Sequence, residues 1–166
     1  MTRKTVAPAL VSLAALLALG GCGGNEGLTA YGSATVTAAG ARTGFDFGSS
    51  GLRVDGGGGT TATCQISRGT TVGAYGVVID LIGNAAAEGH SIRSMTILAH
   101  AAAPDEGSIS ADLGGTSFDG ACRIDVTELD EGSGAVHLRA TDCALSSGTE
   151  SATAGVDFGM RGCTVM

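Results

Sequence analysis

The sequence has no tryptophan, only two prolines and 4% aromatic residues among its 166 positions. Because large rings are so few, a core has to be built from valine, isoleucine, leucine, alanine and a few phenylalanines. A sugar-binding surface made of a row of exposed rings is not expected for the same reason. Glycine is abundant, with 29 residues, but it does not recur at every third position, which excludes a collagen-like triple helix.

Basic residues are also scarce, and lysine occurs once, as Lys4. Beyond residue 21 seven arginines face sixteen acidic residues, a formal balance of −9. A surface of this sign repels phosphate backbones, so we expect no nucleic-acid partner. It also repels anionic lipid headgroups, so attachment to a membrane would need lipid chains rather than charge.

The first 22 residues have the three parts of a secretion signal. Arg3 and Lys4 form a positive start, residues 6–19 are mostly alanine, leucine and valine, and small residues precede Cys22. The apolar run is shorter than the roughly 20 residues that a membrane-spanning helix needs. We therefore expect residues 1–21 to be a signal peptide with a helical apolar segment.

The run Leu19-Gly20-Gly21-Cys22 resembles the lipobox of bacterial lipoproteins, in which an aliphatic residue and two small residues precede an obligatory cysteine. The resemblance implies that a diacylglycerol is joined to the thiol of Cys22 and that the signal is cut just before it. Two or more acyl chains hold a protein firmly on a bilayer, at about 0.8 kcal/mol per buried methylene. The expected location is the exported side of a bacterial cell membrane or outer membrane, within the cell envelope.

The expected organisation after the signal is simple. The lipidated cysteine and a flexible, glycine-rich linker occupy residues 22–29, and a single β-rich domain occupies residues 30–166. Four further cysteines lie in that domain: Cys64, Cys122, Cys143 and Cys163. An even number in an exported chain indicates two disulfides, whereas zinc would need close pairs such as Cys-x-x-Cys, which these spacings lack.

Three pairings of the four cysteines are possible, and a predicted hairpin favours one of them. Cys122 and Cys143 flank two strands, 121–129 and 135–143, that are separated by a polar, glycine-containing turn. Pairing Val126 with Leu138 places the inward residues together but sets Cys122 beside Asp142. A β-bulge near Asp142 would satisfy both demands. We therefore favour Cys122–Cys143, which leaves Cys64–Cys163.

Short alternating or β-branched runs recur along the chain between glycine-rich and polar turns. The remaining candidate strands are 30–38, 43–47, 60–67, 76–82, 91–99, 107–112 and 155–164. Residues 77–82 are nearly all apolar and predict a central strand covered on both faces. Such spacing is typical of an all-β domain, here an antiparallel β-sandwich or a barrel-like sheet.

The layout also resembles the mycobacterial 19-kDa lipoprotein antigen type. Shared features are the lipobox, a start rich in glycine, alanine and threonine, a mid-chain cysteine before an apolar strand, and a cysteine close to the end. Here those two cysteines would be Cys64 and Cys163. The pair Cys122 and Cys143 is not a feature of that family, so the resemblance implies no more than an envelope β-domain.

No motif for catalysis or phosphate binding stands out. Residues 89–93 begin like the nucleophile elbow of a hydrolase, but Arg93 stands where glycine is needed. The glycine run 56–59 lacks the lysine of a phosphate-binding loop and precedes a strand rather than a helix. We therefore expect no enzyme activity.

Metal and cofactor sites are not predicted either. The three histidines are His90, His100 and His137, and none has a second ligand at metal-binding spacing. His137 lies on the polar side of its strand and is expected to face solvent. The acidic run formed by Asp125, Glu128, Asp130 and Glu131 could supply oxygens to calcium but lacks a calcium-loop pattern, which favours a solvated turn.

These observations favour a membrane-anchored envelope lipoprotein whose β-domain is non-catalytic and serves structure or interaction. Its partner would be the membrane, through Cys22, together with a protein or small molecule that the sequence does not identify. The alternatives are an envelope domain that binds a small molecule or calcium, and, third, a hydrolase.

Overall fold

The computed structural model describes residues 27–54, 60–71, 73–83 and 92–166. The predicted signal peptide, Cys22, the glycine run 56–59 and His90 lie outside these ranges. The described residues form one short 3₁₀ turn, Pro104–Glu106, and twelve strands. The strands are β1 Thr29–Ala38, β2 Ala41–Asp46, β3 Leu52–Arg53, β4 Thr61–Arg68, β5 Tyr75–Ile82, β6 Ile92–His100, β7 Gly107–Leu113, β8 Thr116–Cys122, β9 Asp125–Asp130, β10 Ala135–Ser146, β11 Ser151–Arg161 and β12 Thr164–Val165. Within the described ranges, no helix is long and apolar enough to cross a lipid bilayer.

All twelve strands join one mixed sheet that curls into a half-barrel. The main path runs β12-β4-β5-β6-β7-β8-β10-β11-β1-β2, while β3 pairs with β1 and β9 pairs with β10. The predicted all-β, barrel-like domain with two disulfides is therefore confirmed. The sheet is not wholly antiparallel, because β12 runs parallel to β4. The cause is the disulfide between Cys64 and Cys163, which sets the last residues of the chain alongside those that follow Cys64.

Alternation of side chains along each strand places the core on the inner, concave face of the sheet. All four phenylalanines lie in this core: Phe45, Phe47, Phe118 and Phe158. The prediction that β5 is covered on both faces is wrong. Ile82 is 54% exposed, and Asp80 on the outer face accepts hydrogen bonds from the hydroxyls of Thr63 and Thr96. The outer face of β5 is lined by polar groups of its neighbours instead of a second layer.

The disulfide between Cys122 and Cys143 joins β8 to β10, with 5.3 Å between the Cα atoms. Its geometry depends on the predicted bulge. Ala140 pairs with Val156 and Cys143 with Ala154, so two residues of β10, Thr141 and Asp142, oppose one residue of β11. Asp142 adopts a left-handed backbone conformation with φ 54°. The extra residue lets Val126 pair with Leu138 while Cys143 still reaches Cys122.

The predicted continuous strand 121–129 is broken in the structure. Strand β8 ends at Cys122 and β9 begins at Asp125, because the intervening Ile124 turns inward and is fully buried. The backbone N–H of Ile124 donates to the carbonyl oxygen of Pro104, outside any strand ladder. Strand β10 consequently pairs with β9 along its first half and with β8 near its end.

Candidate functional site

Cys22, the predicted lipidation site, lies outside the described residues. The four cysteines of the domain lie in two disulfides, Cys64–Cys163 and Cys122–Cys143, with sequence separations of 99 and 21 residues. These are the two pairs that the hairpin argument favours. Each disulfide ties strands that are far apart along the chain, which suits a domain with few aromatic residues.

The acidic side chains after β8 bond to neighbouring side chains and backbone groups and do not gather into a cation site. The hydroxyl of Ser133 and the backbone N–H of Gly132 donate to Asp130 and lower its pKa. Glu131 accepts hydrogen bonds from Arg68 and Tyr75, which lower the pKa of that carboxyl. Its carboxylate thus clamps the β4–β5 hairpin to the turn after β9. No group of three His, Cys, Asp or Glu side chains within the described ranges could hold a metal ion.

His137 is the centre of a polar cluster on the outer face of the sheet. Its Nδ1 lies 2.6 Å from the hydroxyl of Thr127, and its Nε2 lies 3.0 Å from one carboxylate oxygen of Asp157. The other oxygen of Asp157 accepts a 3.1 Å hydrogen bond from Arg139. The ring stacks with that of Tyr31, 5.9 Å between centroids. His137 lies on the predicted face, but its side chain is only 20% exposed.

Strand register assembles this cluster. Tyr31, Gly159 and His137 are direct neighbours across β1, β11 and β10, and the outer row continues to Glu128 on β9. The ring of Tyr31 occupies the space above Gly159 and carries the guanidinium of Arg161, 5.6 Å from its centroid. Burial and the nearby carboxylate of Glu128 raise the pKa of Tyr31.

A hydroxyl, an imidazole and a carboxylate in one chain of contacts are the components of nucleophilic hydrolases. The position of Thr127 argues against that use. Three concavities lie along the outer face of β1, β10 and β11, and His137 and Asp157 line one of them, whereas Thr127 lines none of the three. A ligand there would meet the imidazole and the carboxylate without meeting the hydroxyl that would have to attack. The contacts hold His137 and Asp157 in fixed positions.

The three concavities form one continuous furrow along the outer face of β11, which we call the β11 groove. Their volumes are about 410, 220 and 260 Å³, and adjacent ones share lining residues. Strands β1 and β2 form one wall, β10 forms the other, and Gly155 lowers the floor between them. Its polar side chains include Ser33, Thr35, Thr37, Arg42, Asp46, Arg139, Thr141, Asp142, Thr153 and Asp157.

The sequence pattern identified none of this groove, because its walls come from strands that are about 90 residues apart along the chain. The one feature within a single strand that points to it is the alternation in β1, which places its serine and threonine side chains on the outer face of the sheet. No protein-family model matches the chain, and no curated protein or solved structure is similar enough to count as a match.

Proposed function

We propose that this chain is a lipoprotein of a bacterial cell envelope, anchored through lipid on Cys22, with its β-domain on the exported side of the membrane. The pairing of the cysteines carries the proposal. All four cysteines of the domain are joined to one another, which leaves the thiol of Cys22 for lipidation. Structural disulfides persist in oxidising, exported compartments, which fits a chain that starts with a secretion signal.

The spacing between anchor and domain sets where the domain would work. Strand β1 begins at Thr29, seven residues after Cys22. Seven residues span about 25 Å at full extension, so a lipid on Cys22 would keep the domain close to the bilayer surface. The acidic balance of the mature chain disfavours flat adhesion to anionic headgroups, which leaves the faces of the sheet accessible.

The proposed role of the domain is binding or structural, without catalysis and without a cofactor. The support is that the polar side chains around His137 are engaged with one another and that Thr127 lies away from the β11 groove. The partner on the exported side would be a protein or a small molecule; nucleic acid is disfavoured by charge.

The anchor is tested by expressing the full chain in a bacterium fed with an alkyne-tagged fatty acid. The wild type is expected to carry the tag and to sediment with membranes. Cys22→Ala is expected to lose the tag and to leave the washed membrane fraction or to accumulate unprocessed. The matched control is the pair Cys122→Ala and Cys143→Ala, which also removes cysteines but should keep the tag. Unchanged membrane retention and labelling of Cys22→Ala would refute the proposal.

A further inference from the structure

We propose that the β11 groove binds an uncharged polysaccharide chain of the cell envelope. The inference names a partner for the binding role proposed above, and rests on that proposal for the compartment in which the partner is met.

The shape of the groove fits an extended chain molecule. It follows β11 from Asp157 to Thr153, which is about 13 Å of strand. Adjacent concavities share lining residues and all three open to solvent, whereas sites for compact ligands enclose most of the ligand surface. A linear polymer could lie in the furrow with one face against Gly155.

The side chains of the groove suit hydroxyl groups better than charged groups. Its serine and threonine hydroxyls each donate and accept, as the hydroxyls of a sugar do. Two arginines and three aspartates line it, so neither sign dominates. Arg139 and Asp157 are paired but remain 58% and 57% exposed, which leaves their outward atoms able to bind neutral hydroxyls. Tyr31, whose ring is packed against Gly159 and His137, closes one end of the groove.

Two other classes of partner fit less well. A peptide usually joins a sheet by adding a strand to a free edge. Here the backbone of β11 is already paired with β1 on one side and β10 on the other, so it has no free row of N–H and C=O groups with which a peptide strand could pair. A lipid chain would need an apolar cavity, but the apolar residues of these strands point into the core, away from the groove.

The proposal is tested with the same glycine-to-valine substitution at two positions, one in the groove and one outside it. A Cβ added at Gly155 would meet Thr35 Oγ1 at 3.8 Å, an ordinary contact, so the backbone there accepts a side chain and Gly155→Val narrows the groove floor. A Cβ added at Gly76 would likewise meet its nearest atom, Ser67 Oγ, at 3.8 Å. Gly76 lies on the outer face of β5, also paired on both sides but outside the groove, and Gly76→Val is therefore the matched control.

The measurement is a titration of the isotope-labelled mature protein in detergent, followed by amide chemical shifts. The probes are chitotetraose, cellotetraose and maltotetraose, with a hexapeptide of glycine, serine and threonine as the peptide arm. At least one oligosaccharide is expected to shift amides of β1, β10 and β11. Gly155→Val is expected to weaken this binding roughly tenfold or more, as the loss of about two hydrogen bonds would, whereas Gly76→Val keeps it.

Three results would overturn the proposal. They are no shift with any of the three oligosaccharides, tighter binding of the hexapeptide in the groove, and equal loss of binding in both valine variants. The outcome is separable from that of the anchor test, because the titration reads the groove whether or not Cys22 carries lipid. Oligosaccharide binding in the groove together with a failed labelling test would reject the anchor and keep the groove.

Discussion

The ring of Tyr31 lies directly on Gly159, its cross-strand neighbour on β11. A Cβ added at Gly159 would overlap the Cζ and hydroxyl of that ring. We expect Gly159→Ala to displace the ring and to lower the free energy of unfolding by about 1–3 kcal/mol, the range for overpacking. In a Tyr31→Ala background the same change should cost little, because the overlapping ring is gone.

Urea unfolding of the two single variants and the double variant measures this coupling as a double-mutant cycle. Gly155→Ala, four residues away along β11 on the same face, is the control and should be close to neutral, since its added Cβ meets nothing nearer than 3.8 Å. Strictly additive effects of Gly159→Ala and Tyr31→Ala would contradict the packing described for this pair.

The two disulfides are expected to differ in their effect on stability. Replacing Cys64 and Cys163 by alanine opens a loop closed over 99 residues, while replacing Cys122 and Cys143 opens one of 21. The chain-entropy argument gives losses of about 4.7 and about 3 kcal/mol, respectively. The first pair should also release β12, whose pairing with β4 starts directly after Cys163.

Denaturant midpoints of the two double-alanine variants, compared with the wild type, check this order. Amide exchange should show faster exchange at Thr164 and Val165 only in the variant that lacks Cys64 and Cys163. A larger loss from the Cys122 and Cys143 pair would show that strain or residual structure, rather than loop length, decides the ranking.

The contact between Arg68 and Glu131 should make the free energy of unfolding depend on pH in the acidic range. The hydrogen bond from Arg68, followed by that from Tyr75, holds the pKa of Glu131 below its ordinary value of 4.5. The stabilisation is therefore fully present above that value and is lost as the pH falls through the lower pKa of the folded state. Glu131→Gln should lower the melting temperature at pH 7, and its difference from the wild type should narrow steadily below pH 4.5.

Thermal melts of the wild type and Glu131→Gln across this pH range give the comparison. Glu150→Gln, at an exposed position in the turn between β10 and β11, is the control for the loss of one carboxylate. A difference for Glu131→Gln that stayed constant from pH 7 to pH 3 would contradict the role given to its ionised form.

Sequence patterns were sufficient to predict the structure where one physical constraint acts along one strand or one hairpin. Alternation placed the inward Leu138 of β10 correctly, because only one face of the sheet is buried. The bulge at Asp142 followed from two demands on one hairpin, the pairing of Val126 with Leu138 and the reach of Cys143 to Cys122. Both are local enough to be read from spacing.

Patterns failed where partners are distant in sequence. The apolar run of β5 predicted a strand buried on both faces. On its outer face, however, Asp80 accepts hydrogen bonds from Thr63 and Thr96 of the neighbouring strands, and residue spacing within β5 carries no information about these partners. The inward turn of Ile124 is set by its hydrogen bond to Pro104. The cluster around His137 needs the registers of four strands at once, so neither it nor the β11 groove could be predicted.

The central claim, lipid on Cys22, is tested most directly by the intact mass of the protein extracted from membranes. The account predicts a chain that begins at Cys22, carries at least a diacylglycerol on its first residue, and lacks the four hydrogens of two disulfides. A retained leader, or a terminus at or near Cys22 with no added lipid mass, would contradict it.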